Sequence, residues 1–302
     1  MRVLLTGGSG LVGSALIPLL AAHGHEVTKL VRSSSRARRS DGRANWNPEA
    51  GWVDLQGAGN PDAVVHLAGE GIAQRWTPEV KRRIRDSRVE GTRLLSDALA
   101  RLPTPPKVLV CASAIGFYGN RGDEWLEEGS APGQGFLADT CQQWEASAGS
   151  ARERGIRVVH LRIGIALASQ GGALRKMLPA FRLGLGGKLG DGRAYWSWIA
   201  LDDLLAVIQR ALADDSWQGP LNVVSPGPVT NAEFTATLGR VLRRPIIFSV
   251  PRFMVEMLFG EMGREALLGS ARVRPAKLLE AGFQFRFAEL ETAFRHLLGR
   301  AR

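Results

Sequence analysis

The residues best suited to chemistry stand at the start of the chain. Thr6-Gly7-Gly8-Ser9-Gly10-Leu11-Val12-Gly13 follows a short apolar run (Val3, Leu4, Leu5) and precedes a helix-like stretch that runs to about Ala22. A glycine cluster between a strand and a helix is the setting in which backbone binds a dinucleotide pyrophosphate. Lacking a Cβ, one glycine turns tightly and another lets the backbone approach phosphate oxygens. Gly13 lets the first helix pack close to the sheet. The phosphates would meet free N–H groups at the positive end of the helix dipole. Pro18 fits this helix poorly, because it removes a hydrogen bond and costs about 3 kcal/mol unless the helix kinks.

The second strand, Glu26-Val27-Thr28-Lys29-Leu30-Val31, ends at Arg32. NAD-selective sites place an acid about 20 positions beyond the glycines, on the ribose 2′-hydroxyl. After Glu26 the next acid here is Asp41, and Arg32-Ser33-Ser34-Ser35-Arg36 takes its place. A guanidinium with neighbouring hydroxyl groups suits a 2′-phosphate. The residues therefore point to NADP rather than NAD.

Bulk properties bound the rest. At 302 residues the length suggests two domains, or one with a large extension, and 45% hydrophobic with 23% charged residues is ordinary for a globular chain. No apolar run approaches the roughly 18 residues of a membrane span. The chain enters a strand at once, leaving no room for a signal peptide, so a cytoplasmic location without a membrane partner is expected. Cys111 and Cys141 form neither a disulfide framework nor a metal-ligand pair. The net charge of +10 accompanies no recognisable nucleic-acid module, so it reads as a basic surface suited to small anionic ligands.

Elements alternate through residue 162. Residues 44–62 read as loop, and Ala63-Val64-Val65-His66-Leu67 as a buried strand with His66 a packed core histidine. Ala68 and Gly69 at its end let a cofactor approach the backbone. Residues 78–102 show helical periodicity and a basic first half. Val108-Leu109-Val110-Cys111 is the next strand, followed by a long acidic loop (119–135), a helix over 136–154 and a strand over 157–162. Such alternation predicts an α/β fold, a doubly wound parallel sheet with ligands at the C-terminal strand ends. A mobile loop is expected at 184–192, helices at 202–213 and 231–242 (the latter with an Asn cap), and a strand at 221–224. The last fifty residues read as mainly helical. We expect a dinucleotide-binding domain over 1–165, with 196–224 returning to it, and a smaller, mostly helical substrate domain over 166–302, interleaved with the first.

Several motifs together resemble the extended short-chain dehydrogenase/reductases of the epimerase/dehydratase type, which have a Rossmann fold. These are the glycine loop, Leu67-Ala68-Gly69, Ser113 with Tyr118-Gly119, and Trp198-Ile199 before Asp202-Asp203-Leu204. Arg85-Asp86-Ser87-Arg88, Gly172-Ala173-Leu174 with Lys176-Met177-Leu178-Pro179, the run Phe181 to Gly187 and the tail 275–285 are similar to a nucleoside-diphosphate-sugar epimerase subgroup. The resemblance extends over essentially the whole chain. It implies that Gly7, Ser9, Gly10, Leu11, Val12 and Gly13 hold the pyrophosphate and that Arg32 and Ser33 meet the 2′-phosphate. It implies further that Leu67, Ala68 and Gly69 line the cofactor, and that Arg88, Arg162 and, more weakly, Arg83 approach it.

One departure is plain. The broad family pairs a tyrosine with a lysine four residues later, the ammonium lowering the phenol's pKa for proton exchange. Here Gly122 follows Tyr118 by four and Ile199 follows Tyr195 by four, so no such pair exists. Ser113, Tyr118, Asp139 or Cys141 could serve as the acid, the proton could come from water or substrate, or the protein could bind NADP without turnover. The reading carried forward is an NADP-binding oxidoreductase or nucleotide-sugar epimerase-like enzyme. In it Ser113 and Tyr118 face the nicotinamide, and Arg193, Trp196 and Trp198 line the cleft of a small-molecule substrate, a nucleotide sugar or carbonyl compound. A non-catalytic NADP sensor is the alternative. No nucleic-acid partner and no metal are expected, and the chain would be a monomer or homodimer.

Overall fold

Strands that are apolar on both faces need a helical layer on each side. The computed structural model, which describes residues 1–34 and 44–300, satisfies this with an eight-stranded sheet. Its strands are β1 (Arg2–Thr6), β2 (Glu26–Arg32), β3 (Ala44–Asn47), β4 (Trp52–Asp54), β5 (Ala63–His66), β6 (Val108–Ala114), β7 (Arg157–Ile163) and β8 (Gly219–Val223). Their order is β8-β7-β6-β5-β1-β2-β3-β4, and only the β3–β4 pair is antiparallel. The chain leaves β1 toward one edge and returns through β5 toward the other. The switch point therefore lies between β1 and β5, where such sheets open a crevice at their C-terminal ends.

Helices α1 (Leu11–Ala22) and α6 (Leu201–Ala213) cover one face, burying Leu16, Leu20, Leu204 and Ile208 against Val3, Leu5, Val65 and Val110. Helices α2 (Pro78–Ala100), α3 (Phe136–Ala146) and α4 (Gly149–Glu153) cover the other face. There Leu95, Leu99, Ala148 and Ala151 meet Leu4, Val64, Leu109 and Val158. A second core joins α5 (Gly172–Arg182), α7 (Asn231–Leu242) and α9 (Leu290–Leu297) around Phe181, Trp198, Phe234 and Phe294. The tail is tied back by Asp203, which is buried and accepts hydrogen bonds from the Arg286 and Phe287 amides at 2.7 and 3.0 Å. Among the described residues, no helix is long and apolar enough to cross a membrane.

The structure corrects several local expectations. Residues 44–62 are not loop throughout, since β3 and β4 extend the sheet. Trp46, 2% exposed, packs over Gly91 of α2, where a Cβ would sit 3.6 Å from its ring. The helix expected over 136–154 is broken at Ser147, whose hydroxyl donates to the Trp144 carbonyl at 2.6 Å. Within 184–192, Gly187–Leu189 forms a strand parallel to Phe248–Val250. In the acidic loop, Trp125–Leu126 pairs with Arg272–Val273. α7 is capped by Thr230, in a reciprocal box with Glu233, while the expected cap, Asn231, accepts from the Leu189 amide at 2.7 Å. α1 runs on through Pro18, which stands on its exposed side, where water can take the carbonyl that loses its partner.

His66 ties the crevice to both layers. Thr6 Oγ1 accepts from the Leu67 and Ala68 amides at 3.1 and 3.2 Å, so its own proton points to His66 Nδ1 at 2.7 Å. His66 Nε2 therefore carries the hydrogen and donates to Thr92 Oγ1 at 3.0 Å, which also receives Trp144 Nε1 at 2.9 Å. Burial brings the His66 pKa down to about 4, as it does for His160 on β7. The unfolded chain thus takes up protons that the folded one refuses. Each histidine's contribution is full above about pH 6.5 and is lost as pH falls toward 4. Between pH 7 and pH 5 each should cost roughly 2 kcal/mol of stability. Urea unfolding at the two pH values reads this directly, and His66→Asn should reduce the slope by about half.

Candidate functional site

The glycine loop forms a cradle at the switch point. Gly7 has φ +70°, and a Cβ there would lie 2.7 Å from the Leu67 carbonyl carbon. A Cβ on Gly13 would lie 2.3 Å from the Gly7 oxygen, so the first turn of α1 presses directly on the end of β1. The Gly10 amide closes the turn on the Gly7 carbonyl at 2.9 Å. No side chain caps α1, which leaves its first-turn amides at Leu11, Val12 and Gly13 directed toward the crevice end, beside exposed Ser9 and Gly10. Backbone arranged in this way is suited to an anion. Leu67, Ala68 and Gly69 form the adjoining wall, and Gly69 is exposed.

Arg32 is exposed at the end of β2, level with Trp46 on β3, and the Ser33 amide donates to the Trp46 carbonyl at 3.0 Å. Ser35 and Arg36, also read as phosphate contacts, lie outside the described residues. Arg88 reaches the wall, with its Cζ 3.3 Å from where a Gly69 Cβ would stand. Its Nη1 donates to the Glu70 and Ile84 carbonyls at 2.9 and 3.0 Å, and the guanidinium lies over Trp144. Burial pulls its pKa below the usual range. Arg83 does not join it, being on the exposed side of α2, 3.7 Å from Glu79.

At the end of β6, Ser113 is 3% exposed and donates to Glu145 Oε1 at 2.7 Å. Both Glu145 oxygens also receive Arg162, from Nε and Nη2 at 2.8 Å each. Burial alone would push the Glu145 carboxyl up, but Arg162 and the Ser113 hydroxyl outweigh it and hold it below the ordinary range. Glu145 is therefore a carboxylate, and Ser113 is committed to it as donor. Sequence reading missed this residue. Its signal was a lone acid on the inward stripe Leu137, Cys141, Glu145 of α3, at i, i+4 and i+8.

Two expectations need correction here. Tyr118 does not face the crevice, for it is 0% exposed, with its hydroxyl within hydrogen-bonding distance of Asn222 Oδ1 (2.7 Å) and the Glu127 carbonyl (2.9 Å). Burial raises its pKa despite the nearby Arg162, the opposite of what an acid for neutral pH needs. Arg162 is turned inward, 4% exposed, with Nη1 on the Tyr118 oxygen and the Glu128 carbonyl and its face 3.5 Å from the Phe117 ring centre. Its charge is spent within the protein.

The helix face turned to the turn after β6 carries Leu137 and Cys141, 3.3 and 3.7 Å from where a Gly116 Cβ would stand. Burial pushes the Cys141 thiol up to about 12, so it is an inert packing group, and Asp139 is exposed on another side of α3. The N-terminus of α3 is held by Glu265, which accepts from the Phe136 and Leu137 amides at 3.1 and 3.0 Å. Thus a residue 120 or more positions downstream helps fix the helix that carries Glu145. Of the expected substrate contacts, Trp198 is wholly buried with its Nε1 on the Gly227 carbonyl, and Trp196 packs edge-on against Phe234. Both are core residues, and only Arg193 is exposed. No group of three or more metal-ligating side chains occurs among the described residues.

Residues 3–223 match the model of the NAD dependent epimerase/dehydratase family, and residues 250–297 match a domain of unknown function, DUF1731. The chain is 44% identical to epimerase family protein Mb2239 of Mycobacterium bovis, over 94% of this chain and 93% of the other. It is 36% identical to human epimerase family protein SDR39U1, over 99% and 100%. The crystal structure of human SDR39U1 isoform 2 with NADPH superposes at TM-score 0.86, with 34% identity and the full length of both chains covered. A nucleoside-diphosphate sugar epimerase from Corynebacterium glutamicum superposes at 0.80 with 36% identity, over 98% of this chain and 58% of that one. By the extent of the family match and the identity of full-length relatives, the chain belongs to the NAD dependent epimerase/dehydratase family.

Proposed function

We propose that this chain binds NADPH and acts as an oxidoreductase of the short-chain dehydrogenase/reductase type on a small hydroxyl- or carbonyl-bearing substrate, a nucleotide sugar or carbonyl compound. The observation that carries the reading is the cradle. Gly7 and Gly13 stand where any side chain would collide with backbone, and the uncapped start of α1 faces the same space. Gly7, Ser9, Gly10, Leu11, Val12 and Gly13 would hold the pyrophosphate, Arg32 and Ser33 the 2′-phosphate, and Leu67, Ala68, Gly69 and Arg88 the adjoining wall. Human SDR39U1, matched from end to end, was solved with NADPH. Bound there, NADPH would supply a hydride.

The protein's own part is to place a hydroxyl and withhold an acid. Glu145 accepts the Ser113 hydrogen bond, so Ser113 Oγ offers its lone pairs to a donor, either an alcohol O–H or the water that protonates a carbonyl oxygen as the hydride arrives. The proton of the reaction then passes between substrate and water, with Ser113 as the oriented contact. A second reading, a non-catalytic NADPH sensor, is favoured by one observation: Leu137 and Cys141 face Gly116 where a phenol and an ammonium would be expected.

Fluorescence titration should show NADPH binding about tenfold or more tighter than NADH, as loss of a charge-assisted phosphate contact implies, and Arg32→Asp should abolish the preference. Equal affinity for both nucleotides would overturn the cofactor assignment. With a substrate that oxidises bound NADPH, Ser113→Ala should lower kcat by about 10²-fold. Tyr118→Phe should leave kcat within a few-fold and cost about 1 kcal/mol of stability, because its hydroxyl is structural. Tight NADPH binding with no turnover across hydroxyl and carbonyl substrates would favour the sensor.

A further inference from the structure

Helix α8 (Arg252–Phe259) is apolar in sequence, yet it buries Val255 alone. Phe253, Met257 and Leu258 are 67%, 63% and 54% exposed. The surface continues beyond the helix. Gly187, two residues after exposed Leu185, pairs with Phe248, which follows exposed Ile247, and Pro251 then leads directly into α8. Monomeric soluble proteins seldom leave an apolar patch of this kind uncovered. Side chains more than half exposed stand proud of the surface and do not line a groove, so the patch is shaped to enter another phase.

Its rim is basic. Arg182, Lys188, Arg243, Arg244 and Arg264 are exposed and make no ion pair among the described residues. Arg244 Nε donates to the Arg182 carbonyl at 2.7 Å, which fixes two of these segments together. Of the acids nearby, Glu256 is paired with Arg252 at 2.8 Å and Glu261 with Lys81 at 2.7 Å, Glu265 is taken up by the amides opening α3, and exposed Asp191 is outnumbered by the cations around it. A second copy of the chain would set like-charged rims within a Debye length of each other. An anionic lipid surface satisfies both features, taking apolar side chains at the acyl boundary and arginines at the headgroups.

We propose that the α8 face docks peripherally on an anionic lipid bilayer, with Phe253, Met257 and Leu258 inserting and the surrounding cations meeting lipid phosphates. A peripheral contact of this kind goes beyond the expectation of no membrane partner, which rested on the lack of a spanning segment. It stands independently of the cofactor reading.

The test is sedimentation of the full chain with vesicles of mixed phosphatidylglycerol and phosphatidylcholine, against phosphatidylcholine alone, at low and high salt. Partitioning should be about tenfold or more stronger on the anionic vesicles and weaken with salt. F253D/L258D should lower it by about tenfold, as should R243A/R264A, which leaves the apolar face intact and covers the case of a misfolded first variant. No pelleting, or pelleting that neither double variant reduces, overturns the proposal. A lipid-free dimer in sedimentation velocity that Phe253→Asp disperses would assign the face to a second copy and overturn it as well.

Discussion

A guanidinium at the position of Arg162, nearly cut off from water, is tolerable only if its charge and its donors are all met. The structure meets them from four directions. Glu145 arrives on α3, the Tyr118 oxygen on the turn after β6, the Glu128 carbonyl from the acidic loop, and the Phe117 ring covers the flat face. Tyr118 and Glu128 in turn reach Asn222 on β8, and Glu128 also receives the Lys277 amide. One buried ion pair therefore fixes how α3, the β6 turn, β7 and β8 stand to one another. Ser113, whose hydroxyl is bound to the same carboxylate, inherits that order.

The same pair accounts for the chemistry the site lacks. A carboxylate held ionised by arginine does not release a proton near neutral pH, and a buried phenol with a raised pKa does not either. With leucine and cysteine on the inward face of α3, what the side chains around Ser113 offer is hydrogen-bond acceptance. The family supplies the scaffold, and a scaffold does not fix the reaction.

Much of this was legible in the sequence because it depends on local rules. The glycine loop, the alternation of strands and helices, and His66 as a core residue follow from backbone sterics and patterning, and the sheet and the buried imidazole match those readings. The small strands at 44–54 escaped notice because three or four residues carry too little periodicity to separate strand from loop. Tyr118 was read as a site residue from its place with Ser113 in the family motif, and Trp196 and Trp198 from the cleft expected beside them, whereas the direction of all three is set by packing from distant segments. Glu145 and Glu265 were missed for the same reason. Their partners are Arg162 on β7 and the amides opening α3, contacts that no spacing rule encodes.

The central claim is that the open start of α1 is the anion-binding element. Hydrogen exchange at its first-turn amides, with and without NADPH, addresses it most directly. The account predicts that Leu11, Val12 and Gly13 gain strong protection on addition of NADPH while the far end of α1 is unchanged. Exchange at those three amides that NADPH leaves untouched would contradict it.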